Sequence, residues 1–212
     1  MDVALELKLD GPANMSRDAE LLALAEQGSP GARVYTWEDA WVTLGMFQNP
    51  VTDLLPGAPV RWVMRPTGGR AVLHGHDVTV GLAVPLEAMN ATSRSVRVVY
   101  RALVAPLIAA LRACGTPAEL GENTRFVGNT PRSADCFAHV SANDIVDERN
   151  GIKVCGCALR LTDRAALVQA SIPAARPLVD PRSVYRESAP VAWIQLEADA
   201  YREALQASLA WD

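Results

Sequence analysis

Arg65-Pro66-Thr67-Gly68-Gly69-Arg70-Ala71-Val72-Leu73-His74 is the stretch on which the reading of this chain turns. It follows an alternating run, Pro59 to Arg65, that reads as a strand, and it precedes a second apolar run, Val78 to Val84. Paired glycines between two strands let backbone amides approach a ligand closely, and Arg65 and Arg70 can neutralise an anion held there. By themselves these ten residues also read as a tight turn with solvated arginines.

Toward the N-terminus, residues 3–9 alternate as a strand, and Gly11-Pro12 breaks it before a helix over roughly 15–27. Leu21, Leu22, Leu24 and Ala25 give that helix its apolar face, and Ser16 or Asn14 can cap its start. Val34 to Trp37 and Trp41 to Leu44 are short strands. Toward the C-terminus, Ser93 or Ser95 opens the longest helical pattern, with a stripe of Val96, Val99, Leu103, Leu107 and Leu111, an expected kink at Pro106 and an end at Cys114-Gly115. Residues 121–135 form a polar loop. Ile145-Val146, Ile152 to Leu159 and Ala165 to Ile172 follow as strands, with Asn150-Gly151 turning the first into the second, and a helix over about 197–210 closes the chain. This order predicts an α+β fold, a mixed and largely antiparallel sheet flanked by helices, in a single domain over 1–212.

The composition narrows the function classes. Half of the 212 residues are hydrophobic and 21% are charged, enough for a sizeable core. A net charge of −4 argues against nucleic acid as a partner. The N-terminus lacks the basic start and apolar run of a secretory signal, and no apolar stretch is long enough for a bilayer. The expectation is a cytoplasmic protein without membrane association, its four cysteines reduced. Of its 20 basic residues 18 are Arg, so the two lysines, Lys8 and Lys153, are exceptions to a bias, and a lysine retained against it can serve ammonium chemistry.

Two more segments carry chemistry. Asp135-Cys136-Phe137, with His139 nearby, puts a cysteine in a polar loop, where it is accessible and open to use as a nucleophile; a small buried hydrophobe is the other reading. In Gly151-Ile152-Lys153-Val154-Cys155-Gly156-Cys157-Ala158, alternation sets Lys153, Cys155 and Cys157 on one face of a strand. Cys136-x-x-His139 and Cys155-x-Cys157 supply four zinc-ligand types, but the spacing is not that of a finger or ribbon, so no metal is expected.

Taken in order, these segments resemble the lipoate-protein ligase and octanoyltransferase family, whose fold is shared with biotin-protein ligases. Gly11-Pro12-Ala13-Asn14-Met15 with Asp18-Ala19 is similar to the family's opening helix, Trp37 through Gln48 to its strand pair ending in Gly-x-x-Gln, and Gly151-x-Lys153-x-x-Gly156-x-Ala158 to its lysine motif. Asp135-Cys136-Phe137 followed by Ser141 resembles the branch of octanoyltransferases that carries the acyl group on a loop cysteine. Leu159, where the family has Gln, and Gln169-Ala170, where it has a His-Gly pair, depart from the pattern.

The resemblance implies catalytic roles for Cys136 and Lys153. It implies substrate binding by Arg65, Thr67, Gly68, Gly69, Arg70, His74, Gly156 and Ala158. The donor would be octanoyl-acyl carrier protein and the acceptor the lysine of a lipoyl domain, such as glycine cleavage H protein or a 2-oxoacid dehydrogenase E2 subunit. No cofactor is needed on that reading, and no accessory C-terminal domain is expected. Lys153 would hold the thiolate, or, desolvated, take the proton of the incoming amine. An acidic carrier would dock on Arg94, Arg97 and Arg101, which equally read as a solvated helix face. The alternatives are an ATP- and Mg-dependent lipoate-protein ligase, alone or as the catalytic part of a split enzyme, and a non-catalytic module that binds lipoyl domains or acyl groups.

Overall fold

The computed structural model describes residues 1–89, 95–127 and 133–209. In chain order its elements are β1 (Val3–Leu9), α1 (Gly11–Glu26), β2 (Gly31–Trp37), β3 (Trp41–Leu44), α2 (Pro50–Asp53), β4 (Arg61–Met64), β5 (Val72–Leu73), β6 (Asp77–Pro85), α3 (Val96–Ala113), β7 (Ala118–Leu120), β8 (Ile145–Asp147), β9 (Lys153–Leu161), β10 (Ala165–Pro173) and α4 (Ala198–Ser208). Seven strands form one sheet in the order β1-β2-β6-β10-β9-β8-β7, and three form a smaller one in the order β4-β3-β5. In the large sheet β1 and β2 run parallel across the α1 connection; every other pair is antiparallel. The mixed α+β fold with a largely antiparallel sheet is the one expected.

Helices α3 and α4 cover one face of the large sheet. Val99, Leu103, Leu107 and Leu111 are fully buried there against Val34, Val80, Leu82 and Val168 of the strands. Val96 heads the same stripe in sequence, yet it is 61% exposed, because it lies in the first turn, beyond the sheet's cover. Ser95 caps α3 through its side chain, which accepts from the Val98 N–H, and the helix runs on through Pro106. The other possible cap, Ser93, and Arg94 of the docking cluster lie outside the described residues. Arg97 and Arg101 both close on one carboxylate, Glu122, at 2.7 and 2.6 Å.

Helix α1 covers the opposite face and begins earlier than the sequence suggests. Asp10 is its cap, accepting from the Ala13 N–H at 2.7 Å, and Pro12 sits in the first turn, where a missing N–H costs nothing. The Gly-Pro pair that reads as a break is therefore the start of the helix, and Asn14 is a buried interior residue of it. Asp18, one turn further, is buried without solvent contact and receives hydrogen bonds from Arg33 and Tyr35 at 2.7 and 2.8 Å.

A second correction concerns β9. Ile145 pairs with Cys155 while its neighbour Val146 pairs with Lys153, so one step on β8 spans two on β9 and Val154 is the extra residue of a bulge. The bulge breaks the alternation. Lys153 and Gly156 share the face toward Cys136, whereas Cys155 and Cys157, with sulfurs 3.6 Å apart, belong to the helix-side core. The zinc-ligand types thus point to different sides of the sheet, and among the described residues no group of three or more His, Cys, Asp or Glu is placed to hold a metal. No described helix is long and apolar enough to cross a membrane.

Candidate functional site

The turn after β4 is built around one arginine. Arg65 is buried, and its guanidinium donates to Thr67 Oγ1 at 3.0 Å, to the Thr43 carbonyl at 3.2 Å, and to the carbonyls of Gly68 and Arg70 at 2.6 Å each. With its donors turned inward, Arg65 shapes the loop. Gly69 has φ +87, and a Cβ there would lie 3.1 Å from Arg65 Nη2. Gly45 approaches the same loop so closely that a Cβ on it would sit 2.1 Å from the Gly69 carbonyl oxygen. Only glycine fits either position. Among the described residues, the N–H groups of Gly68 and Gly69 have no partner.

The far end of this turn holds the cysteine loop. Ala71 N donates to the Ala134 carbonyl and Cys136 N to the Ala71 carbonyl, both at 2.8 Å, so Cys136 is pinned against the strand that follows the glycines. Asp135 caps a single turn over Cys136–Ala138 by accepting from the Phe137 N–H at 2.8 Å. Burial pushes the Asp135 carboxyl up to about 6, against the pull of that hydrogen bond and of Lys153 and Arg70. Its second oxygen, Oδ2, is buried without a partner.

Lys153 reaches across from β9. Its Nζ lies 3.3 Å from Cys136 Sγ, 2.5 Å from the Cys136 carbonyl oxygen and 2.8 Å from Asp144 Oδ1, and it rides 4.9 Å over the Phe137 ring. Gly156 leaves room for this meeting: a Cβ there would come within 3.1 Å of the sulfur. Asp144 is fixed in turn by the N–H and hydroxyl of Ser141, at 2.6 and 2.8 Å.

Burial disfavours the ammonium of Lys153, but Cys136 and Asp144 outweigh it and hold the group charged well into the alkaline range. Desolvation alone favours the neutral base expected from sequence, and Cys136 and Asp144 work against it; Asp144 is a carboxylate that the sequence reading did not connect to Lys153. For the Cys136 thiol, burial is the largest influence and raises it, while Lys153 and Arg65 work in the other direction.

These groups open on a small, partly open cavity of about 40 Å³. Met15 of α1, Tyr35 and Trp37 of β2, Val72, Ala158 and Ala170 give it an apolar lining. At one side His74 stacks on Trp37, ring centroids 4.0 Å apart, with its ring nitrogens against Thr43 Oγ1 at 2.8 Å and Asp77 Oδ2 at 2.7 Å. Asp77 also accepts from Thr79 and Ser171. Burial alone would raise the Asp77 carboxyl, yet His74, His76 and Ser171 bring it down to about 2.

Of the residues singled out from sequence, Cys136, Arg65, Gly69, Arg70, His74, Gly156 and Ala158 line this cavity, and Lys153 joins them through its contact with the Cys136 sulfur. Thr67 and Gly68 support it from behind: Thr67 has no solvent contact and bonds to Arg65 and Gln169, while Gly68 lies under the 86% exposed Phe47. Sequence reasoning missed Asp144, Asp77 and the cavity role of Gln169. Asp144 had one weak signal, an acidic residue immediately ahead of the Ile145 strand.

Residues 10–185 match the family described as the lipoyl protein ligase A/B catalytic domain. Among curated relatives, octanoyltransferase LipM of Brevibacillus brevis is 32% identical over 155 residues, 68% of this chain and 55% of that protein. The LipM of Lysinibacillus sphaericus is 34% identical over the same shares, and that of an Exiguobacterium species is 32% identical over 76% of this chain and 60% of its own length. The chain thus spans a little over half the length of these relatives. Two solved structures share the fold: a lipoate-protein ligase A bound with ATP (TM-score 0.71, 20% identity, 99% of this chain and 85% of that one), and a bi-partite lipoate protein ligase from Thermoplasma acidophilum, solved in a study of it and its E2 lipoyl domain (TM-score 0.68, 19% identity, 99% and 83%).

Proposed function

We propose that this chain, which belongs to the lipoyl protein ligase A/B catalytic-domain family, is an octanoyltransferase that carries the acyl group as a thioester on Cys136 and delivers it to the lysine of a lipoyl domain. One observation carries the reading: a loop cysteine at the wall of an apolar cavity, its sulfur 3.3 Å from the ammonium of a buried lysine.

In the first half-reaction the Cys136 sulfur attacks the carbonyl of an octanoyl thioester on acyl carrier protein, and the carrier's thiol leaves with the proton. Lys153 stabilises the sulfur as it gives up that proton. The N–H of Gly69, which lines the cavity and has no partner among the described residues, is the backbone donor assigned to the developing oxyanion. The apolar lining, Met15 and Ala170 among it, takes the alkyl chain, and thioester exchange as written requires no cofactor.

Acylation changes the electrostatics of Lys153. The thiolate is the largest influence holding its proton, and the thioester has no such charge. In the acyl-enzyme Lys153 keeps Asp144 but loses that partner while still buried, so it is closer to exchanging a proton with the incoming amine. This supports the role inferred from its being a lysine in an arginine-rich chain, taking the proton of the incoming amine in the second half-reaction.

The likeness to lipoate-protein ligases supports a second reading, in which free lipoate is activated with ATP and Mg and Cys136 is dispensable. Intact mass after incubation with octanoyl-acyl carrier protein separates the two. A hydroxylamine-labile octanoyl adduct on the wild type and none on Cys136→Ser is expected. No adduct on either, with modification of a lipoyl domain by lipoate and ATP, would replace the transferase by the ligase, and acyl binding without either reaction would leave the binding module.

A further inference from the structure

We infer that Gln169 is a positioning residue for acyl transfer, tying the glycine turn of the site to the buried ion pair of α1; the inference rests on the octanoyltransferase reading above. Gln169 is one of the positions where the chain departs from the family pattern. It is buried on β10, and each end of its amide is used. Oε1 accepts from Thr67 Oγ1 at 2.6 Å, and Nε2 donates to Asp18 Oδ2 at 2.5 Å. A weaker contact runs from Nε2 to Met15 Sδ at 3.6 Å.

The two groups it joins lead in opposite directions. Asp18 is anchored by Arg33 and Tyr35, and Arg33 also bonds Asn14 and Glu6, so the far side of the bridge is a rigid, charged knot between α1 and β2. Thr67, on the near side, receives the Arg65 Nε–H, and the same guanidinium holds the carbonyls of Gly68 and Arg70. A continuous buried chain therefore runs Arg33–Asp18–Gln169–Thr67–Arg65 and ends on the backbone of the turn that lines the cavity. An amide suits the middle position because Thr67 already gives its hydroxyl proton and Asp18 offers only acceptors. A residue there must accept on one side and donate on the other. A carboxylate in its place would face Asp18 with a like charge.

The consequence is that the pose of Gly68 and Gly69 relative to Cys136 depends on a residue that touches neither the sulfur nor Lys153. Removing the bridge should slow the acyl-transfer step while leaving the lysine-held cysteine in place.

Three variants test this: Gln169→Met, Gln169→Glu, and Gln169→Glu combined with Asp18→Asn, which moves the carboxylate one residue along the chain and rematches donor to acceptor. Two readouts are taken on each full-length protein. The first is the single-turnover rate of Cys136 octanoylation from octanoyl-acyl carrier protein. The second, independent of any reaction, is amide exchange at Met46 and Arg65, whose N–H groups bond the Thr67 and Leu44 carbonyls and so report the turn. Gln169→Met and Gln169→Glu are expected to acylate roughly tenfold or more slowly, with faster exchange at both amides, the scale of a lost buried hydrogen-bonded anchor. The double variant is expected to regain most of both. Wild-type protein that forms no adduct would refute the transferase reading, and the exchange data would then decide the bridge alone. Wild-type exchange in Gln169→Met, wild-type acylation in it, or a double variant no better than Gln169→Glu would overturn the role given to Gln169.

Discussion

Replacing Lys153 by Met removes the charge beside Cys136 and keeps the bulk of the side chain. The ammonium sits 3.3 Å from the sulfur, which by 332/(εr) with ε of about 20 gives the thiolate ~5 kcal/mol. That figure is an upper bound, because Asp144 lies 2.8 Å from the same ammonium and offsets part of its charge at the sulfur. Taking about half, the thiolate loses ~2–3 kcal/mol in the variant, and at ~1.4 kcal/mol per tenfold the thiolate population falls ~30- to 150-fold. Alkylation by iodoacetamide at pH 7.5, followed by mass analysis of the Cys136 peptide, reads this directly, since the thiolate is the nucleophile. Cys157 and Cys114 in the same sample serve as internal references. The variant also strands Asp144, so thermal unfolding should be followed in parallel, and a cost of ~3–5 kcal/mol is expected for breaking a buried pair. Lys153→Arg separates charge from proton exchange: alkylation within a few-fold of wild type, with most transfer lost. Equal alkylation rates in wild type and Lys153→Met would refute the electrostatic reasoning, and full transfer by Lys153→Arg would remove the proton-transfer role.

Asp135 has a raised pKa of about 6 in the folded chain against 3.8 for the free group, so between those values the folded state binds the extra proton and stability declines as pH rises. Asp135→Asn, which keeps the acceptor for Phe137, is expected to be ~2–3 kcal/mol more stable than wild type at pH 7.5 and no more stable at pH 4, by denaturant titration; a gain independent of pH would contradict the assignment. Gly69→Ala puts a Cβ at φ +87 against Arg65 Nη2 and should destabilise by ~1–2 kcal/mol while abolishing most acylation; wild-type acylation in a folded variant would show that the turn's pose is not required. Leu103→Ala, at a fully buried position between α3 and the sheet, should cost ~2–5 kcal/mol in thermal or denaturant unfolding and leave the alkylation rate of Cys136 unchanged; a loss under 1 kcal/mol would mean the site collapses around the cavity.

Local pattern carried most of the architecture. The apolar period of 3.6 over Val99 to Leu111 located α3, and the short apolar runs Val78 to Val84 and Ala165 to Ile172 located the two central strands, each buried on both faces. It failed where a local signal has two meanings. Gly11-Pro12 ends a strand and also suits the first turn of a helix, and only the docking of α1, with Asn14 and Asp18 turned inward against Arg33, selects the second. The two-residue strand Val72–Leu73 exists because β3 is there to pair with it, not because two residues prefer the extended state.

The sequence by itself determined which residues had unusual chemistry: a loop cysteine, a lysine kept among arginines, and paired glycines after a strand. Their convergence is a tertiary matter. A one-residue bulge at Val154 turns Lys153 away from Cys155 and toward Cys136, and strand alternation cannot reveal it, since its cause is the register with β8. The same holds for Asp144 and Gln169. Each is an ordinary polar residue in the sequence, and each acquires its role from partners 9 to 151 positions away, Lys153 and Asp18, brought within hydrogen-bond reach only when the sheet closes. Charge state follows that geometry. Burial alone pushes Lys153 toward its neutral form, and Cys136 together with the carboxylate of Asp144, folded against it, favours the charged one.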